Sequence, residues 1–323
     1  MKRTVSIFIF LISVLSLSAK KTQPQPMSIE REQQFTYYFY AAKQSLEQKR
    51  YPEALMQLLF CEQLNPQDAT TKDYLGVIYT ALKQPQKSFD LFRQAYLLDP
   101  QDHWFHYALS LSKSDSKGDR KELLQVMENA TRLNPKDAVV WDYMRMAAIV
   151  NGKYKQAIQA QDRIDQLQGY DGMSAINRYR TYVISGDYKK ALAAIDDYLA
   201  LYPNDLQFLL FRAELLSITN APTAKLLENF EQILRIDPAN LVILNNYAYL
   251  LATTGGDLSK AEKMSQQTIR EQPENPTFLD TYAWILHLQG QDSLASFYIR
   301  KALQNATDDD KKEIEAHYRA IIK

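Results

Sequence analysis

The feature that most constrains this chain is a period. Pro66, Pro100, Pro135, Gly169, Pro203, Pro238 and Pro273 recur at intervals of 34 or 35 residues within a chain of 323. Near the end the repetition becomes almost literal: Tyr247, Ala248, Leu251 and Gly255 return as Tyr282, Ala283, Leu286 and Gly290. A unit this short cannot bury an apolar face alone and gains a core only by stacking on its neighbours. The period therefore predicts one elongated stack, where length alone would suggest two globular domains.

Inside each unit the apolar residues recur every three or four positions, the spacing of a helical stripe. Tyr38, Ala41 and Ala42 share a face of a first helix, Ala54, Leu58 and Cys61 share a face of a second, and Pro66 closes the pair. Leu75, Gly76, Tyr79, Ser88, Phe92, Ala95 and Pro100 take the equivalent places in the next unit. The fourth supplies Trp141, Met144, Ala148, Ala157 and Ile164, and the eighth Leu279, Tyr282, Ala283, Ala295, Ile299 and Ala302. These residues resemble the tetratricopeptide repeat, whose first helix carries Trp, Leu, Gly or Ala, and Tyr, and whose second carries Ala, Phe, Ala and a closing Pro. The resemblance spans residues 35–304. It implies an all-α fold, an α-solenoid winding as a right-handed superhelix of about eight helix pairs. Residues 305–323 follow as a capping helix: Asp308, Asp309 and Asp310 suit a helix N-terminus, and Ile314, Tyr318, Ile321 and Ile322 line one side.

The punctuation fits. Gly152, Gly186, Gly255 and Gly290 fall where first helices end and a positive φ can cap the last carbonyls, and Pro52, Pro85 and Pro222 fall where second helices begin. Small residues such as Ala42, Gly76, Ala54 and Ser88 let the paired helices approach closely. Arg145 and Tyr179 depart from this pattern, and between them Gln168, Gly169, Tyr170, Asp171 and Gly172 place two glycines at one junction. Residues 168–172 read either as a joint separating four repeats from four or as an irregular turn within a continuous array.

The ends and the composition bound the function. Lys2 and Arg3 precede an apolar run from Val5 to Leu17 that closes in Ser18 and Ala19, the pattern of a secretory signal peptide over residues 1–19. Lys20 and Lys21 just beyond it leave an uncleaved membrane anchor as the alternative. Residues 20–34 read as a polar spacer. Export to the periplasm or cell envelope follows, with no membrane span once the leader is removed. Cys61 is the single cysteine, so no internal disulfide can form, and its place on a packing face marks it as a core thiol. Basic and acidic residues both total 38, which offers no broad field to a phosphate backbone and argues against nucleic acid as a partner.

No nucleophile elbow, zinc motif, phosphate loop or dinucleotide fingerprint is present, so neither an enzyme nor a cofactor is expected. His103 and His106 lack further ligands nearby, and no metal is expected there. What remains is a groove. The resemblance implies that partners lie along the first helices, and on this chain those places include Lys43, Trp104, Tyr107, Arg180, Asn245, Tyr249, Asp280 and Trp284. The family's carboxylate clamp, built from lysine, asparagine and arginine in successive repeats, is not reproduced, because Lys43, Arg180 and Asn245 lie in distant repeats. Aromatic rings beside amides suit a peptide backbone or a sugar face. The expectation is a non-catalytic protein-protein interaction scaffold or adaptor that binds a partner protein or peptide; the alternative is a glycan-binding module serving polysaccharide capture.

Overall fold

The structure is a computed structural model that describes residues 27–322. The signal-peptide reading of residues 1–19 lies outside the described residues. Among those described, the regular structure is 17 α-helices with no strand.

The chain divides into two compact units, Met1–Tyr107 and Ala108–Lys323, with the boundary inside one helix. The first unit holds α1 (Ile29–Glu47), α2 (Tyr51–Leu64), α3 (Ala69–Ala81), α4 (Pro85–Leu98) and the opening turn of α5 (Trp104–Ser112). The second continues with α6 (Lys117–Leu133), α7 (Ala138–Val150), α8 (Tyr154–Gln168), α9 (Gly172–Ile184), α10 (Tyr188–Leu201) and α11 (Leu206–Ile218). It ends with α12 (Thr223–Ile236), α13 (Leu241–Thr253), α14 (Leu258–Glu271), α15 (Pro276–Leu288), α16 (Asp292–Asn305) and α17 (Asp308–Ile321). Sixteen helices thus form eight consecutive pairs and α17 is the single helix left at the end, the repeat array that the period demands. One boundary differs from expectation: α1 begins at Ile29, inside the stretch read as spacer, because the Ser28 hydroxyl accepts from the Arg31 amide and the Arg31 guanidinium reaches the Leu64 carbonyl at 3.0 Å.

The small positions are buried where the helices of a pair touch. Ala42, Ala54, Ala248, Ala261, Ala283 and Ala295 are fully buried. Gly76 of α3 lies so close to Phe92 of α4 that a β-carbon placed on it would fall 2.5 Å from Phe92 Cε1. Large residues fill the spaces that remain, as in the cluster of Leu58, Leu75 and Ile78 in the first unit. Cys61 is buried there, its thiol aimed at the Phe35 carbonyl, and burial with the nearby Asp68 charge pushes its pKa up to about 11, which keeps it a protonated thiol.

Seven of the eight first helices end by one device. Gly152, Gly186, Gly255 and Gly290 all take positive φ. After α7, for example, Gly152 N–H donates to the Ile149 carbonyl and Lys153 N–H to the Ala148 carbonyl, the paired bonds of a Schellman cap. Lys49, Lys83 and Asn220 hold the same conformation without being glycine. Pro85 opens α4 and Pro52 stands in the first turn of α2, whereas Pro222 lies one residue earlier than expected, as the N-cap of α12.

At residues 168–172 Gly169 has φ of 95° and Asp171 caps α9 by accepting from the Ser174 amide at 2.9 Å. The two sides of this junction are tied together by polar side chains. Arg178 of α9 pairs with both Asp162, at 2.7 Å, and Asp165 of α8. Ser174 Oγ donates to Asp165 Oδ1 at 2.6 Å, and Asn177 Nδ2 to Gln161 Oε1 at 3.0 Å.

Candidate functional site

Four of the expected groove residues come together in the second unit. Asn245 and Tyr249 are the fifth and ninth residues of α13, and Asp280 and Trp284 hold the same places in α15. A spacing of four sets each pair on one helix face. The equivalent positions of the two helices therefore lie side by side.

The terminal helix completes the arrangement. His317 of α17 sets Nδ1 2.8 Å from Asp280 Oδ2 and stacks its ring on Trp284, with centroids 4.5 Å apart and planes 23° from parallel. The Tyr249 ring stands 6.0 Å from the same imidazole. Burial opposes a charge on His317, but the hydrogen bond and charge of Asp280, aided by Glu313, outweigh it and hold the imidazole pKa above its usual value. Burial also raises the Tyr249 phenol, and the charges of Glu313 and Asp280 and a hydrogen bond to Glu313 act in the same direction. His317 thus faces a carboxylate that favours its charged form.

Between α13, α15 and α17 lies a cavity of about 190 Å³, lined by Asn245, Tyr249, Asp280, Asp310, Glu313 and neighbouring threonines. Asn245 Oδ1 and Asp280 Oδ1 are buried there with no hydrogen-bond partner, and nearby Trp284 Nε1 has none either. A second depression, of about 370 Å³, lies against α7, α8 and α9 and includes Asp142, Arg145, Gln161, Ser174 and Asn177. Its polar groups are engaged with one another: Arg145 Nη2 meets Asp142 at 2.6 Å, and Gln161 Nε2 donates to Asp165 at 2.7 Å.

The other expected residues do not join these four. Trp104 and Tyr107 are buried, Tyr107 to 1% exposure between Tyr96 and Phe89 at centroid distances of 5.4 and 5.5 Å. They are packing residues rather than groove residues. The third repeat runs in another register from its neighbours: Trp104 lies four residues after Pro100, whereas Lys72 and Trp141, at the same repeat place, lie six after Pro66 and Pro135. Trp104, Tyr107, Ala108 and Leu111 take the Trp, Leu, Gly and Tyr places of the repeat, and Ser116 is the α6 N-cap. Arg180 is exposed on α9, and Lys43 belongs to the first unit, its ammonium 5.9 Å from the Tyr40 ring centroid. Glu313 and His317 were missed. The signal for His317 was present: it falls in the stripe of Ile314, Tyr318 and Ile321, so a titratable ring had to be buried against something.

No family model matches the chain, and no curated protein matches it in sequence. Among solved structures, the C-terminal part of a TPR repeat-containing protein from Cytophaga hutchinsonii matches with a TM-score of 0.54 at 17% identity, over 75% of this chain and 98% of that one. The chain has the tetratricopeptide-repeat fold. A tetratricopeptide repeat protein from Parabacteroides merdae matches at a TM-score of 0.46 and 13% identity, over 90% of this chain and 100% of its own. YrrB, described as a TPR protein with an unusual peptide-binding site, matches at 0.46 and 19%, over 57% and 95%. In repeat terms, Asn245, Tyr249, Asp280 and Trp284 are the fifth and ninth positions of the seventh and eighth repeats, and α17 packs where a ninth first helix would begin.

Proposed function

We propose that the chain is a non-catalytic interaction scaffold of the bacterial cell envelope that holds a partner protein or peptide along its first helices. The observation that carries this reading is a repeated exposure of apolar side chains at one repeat position. Val139, Met173 and Val242 are each the second residue of their helix, α7, α9 and α13, and stand 58%, 59% and 59% exposed. Met146 and Leu210, at other first-helix positions, are exposed as well. Apolar side chains kept in water at the same position of the fourth, fifth and seventh repeats suit a surface that is covered by a partner. One face of Trp284 is already stacked on His317, which leaves less aromatic surface for a sugar ring and favours a peptide or protein as the occupant.

Among the described residues no helix is long and apolar enough to cross a membrane, and no group of three or more His, Cys, Asp or Glu is gathered to hold a metal. The envelope assignment rests on the basic and apolar leader over residues 1–19, and N-terminal sequencing of protein recovered from cell fractions tests it. For the scaffold itself, the test is capture from an envelope extract by the wild type and by a Val139→Asp, Met173→Asp, Val242→Asp variant. The wild type is expected to retain a discrete protein that the variant loses; identical retention by both would refute the reading.

A further inference from the structure

We propose that the cavity between α13, α15 and α17 receives a cationic side chain, an arginine or lysine presented by the partner peptide; this deepens the scaffold reading and rests on it. The cavity is built to accept hydrogen bonds. Asn245 is 3% exposed and Asp280 5% exposed, yet Oδ1 of each lacks a donor. A buried acceptor left unmatched costs far more than the same group in water, so two of them on residues that line one cavity call for a ligand rich in N–H.

The charge points the same way. Asp280, Asp310 and Glu313 line the cavity, which has no lysine or arginine in its wall. His317 faces Asp280 and engages Oδ2, leaving Oδ1 buried without a partner. The hydroxyls do not discharge the remaining acids: Thr307 and Thr277 approach Asp310 at 2.8 and 3.4 Å. These are neutral donors, and the negative charge stays in place.

Size and chemistry select the occupant. A space of about 190 Å³ takes the head of one long side chain but no folded element. The carboxylates are not gathered closely enough to form a metal-binding group among the described residues. An anion would meet three acids. A guanidinium, with five N–H donors in one plane, can satisfy Asn245 Oδ1 and Asp280 Oδ1 together while its charge lies near Glu313 at the rim, and an ammonium can do so with fewer bonds.

The test is NMR titration of the full chain with a capped Gly-Arg-Gly peptide, its citrulline counterpart, which has the same shape without the charge, and agmatine. The arginine peptide is expected to shift the side-chain amides of Asn245 and of Asn246, which also lines the cavity, and the His317 ring, and to bind about tenfold or more tightly than the citrulline peptide. A Glu313→Gln, Asp310→Asn variant, changed only toward the rim, should keep its fold by circular dichroism and lose about tenfold in affinity. Equal binding of the arginine and citrulline peptides, shifts confined to other residues, or unchanged affinity in the variant would each overturn the proposal. Agmatine binding about tenfold more tightly than the peptide would overturn the assignment to a peptide-borne group. If the variant still captures the envelope partner undiminished, the cavity assignment falls while the scaffold reading stands. A wild type that captures nothing removes the scaffold reading, and the peptide titration still reports on the cavity by itself.

Discussion

Replacing Gly76 with alanine pits two effects of known sign against each other. Alanine in a helix interior is favoured over glycine by about 1 kcal/mol, so an unobstructed site would be stabilised. The site is obstructed: the added β-carbon would lie 2.5, 2.6 and 3.0 Å from Cε1, Cδ1 and Cζ of Phe92, where carbon atoms ordinarily sit roughly 3.5–4.0 Å apart. The ring cannot swing clear, because Phe92 is 5% exposed and stacks on His106 at 4.9 Å. Nor can α3 easily retreat from α4, since the Gly76 carbonyl accepts from Ser88 Oγ at 2.9 Å. Overpacking of this kind costs about 1–3 kcal/mol. The net expectation is a loss of up to about 2 kcal/mol after the propensity gain is subtracted. Urea titration followed by circular dichroism reads the global effect, and hydrogen exchange at α3 and α4 amides reads the local one. In a Phe92→Leu background, which removes the ring, Gly76→Ala should become neutral or stabilising. If Gly76→Ala stabilises the wild type, or costs the same with and without the ring, the close approach of these helices does not set the requirement for glycine.

Two further outcomes follow from other parts of the chain. Lys83 ends α3 at φ of 58°, where glycine serves four other repeats; Lys83→Gly should stabilise the protein by about 0.5–1 kcal/mol in thermal unfolding, and a loss would show that its side-chain contacts outweigh the backbone strain. The His317–Asp280 pair should make docking of α17 pH-dependent. Because the folded pKa of His317 is raised, its contribution is fully present below the unfolded value near about 6.5 and is lost as pH rises through the folded value. Hydrogen-exchange protection of α17 should exceed that of a His317→Gln variant at low pH and lose that excess on alkalinisation; a constant difference would refute the linkage.

The repeat period made the architecture readable from composition-free spacing. Eight pairs, a terminal helix, four glycine caps and the buried small positions all follow from a pattern that each copy restates. What the pattern could not supply was register where one copy carried additional residues. Pro100 keeps its place in the beat, but the residues after it are counted differently, and Trp104 and Tyr107 moved from groove to core as a result. The cavity was half legible. Asn245 and Asp280 could be placed because repeats fix equivalent positions. Glu313 and His317 could not be assigned to them, because α17 lies outside the repeat and nothing in a periodic reading says which of its residues meets which predecessor. The polar ties between α8 and α9 were hidden for a similar reason, since Arg178 meets Asp162 and Asp165 through side-chain reach rather than spacing.

The closing helix also sets a rule for lengthening the molecule. Ile314 and Ile321 are buried against α15 and α16, while Lys311, Lys312 and Arg319 face solvent. Its outward surface therefore offers a further hairpin charge and few apolar side chains to settle on. Additional copies grafted ahead of Thr307 would meet matching surfaces on both sides, whereas copies joined behind Ile321 would stack on charge and leave their own greasy side in water.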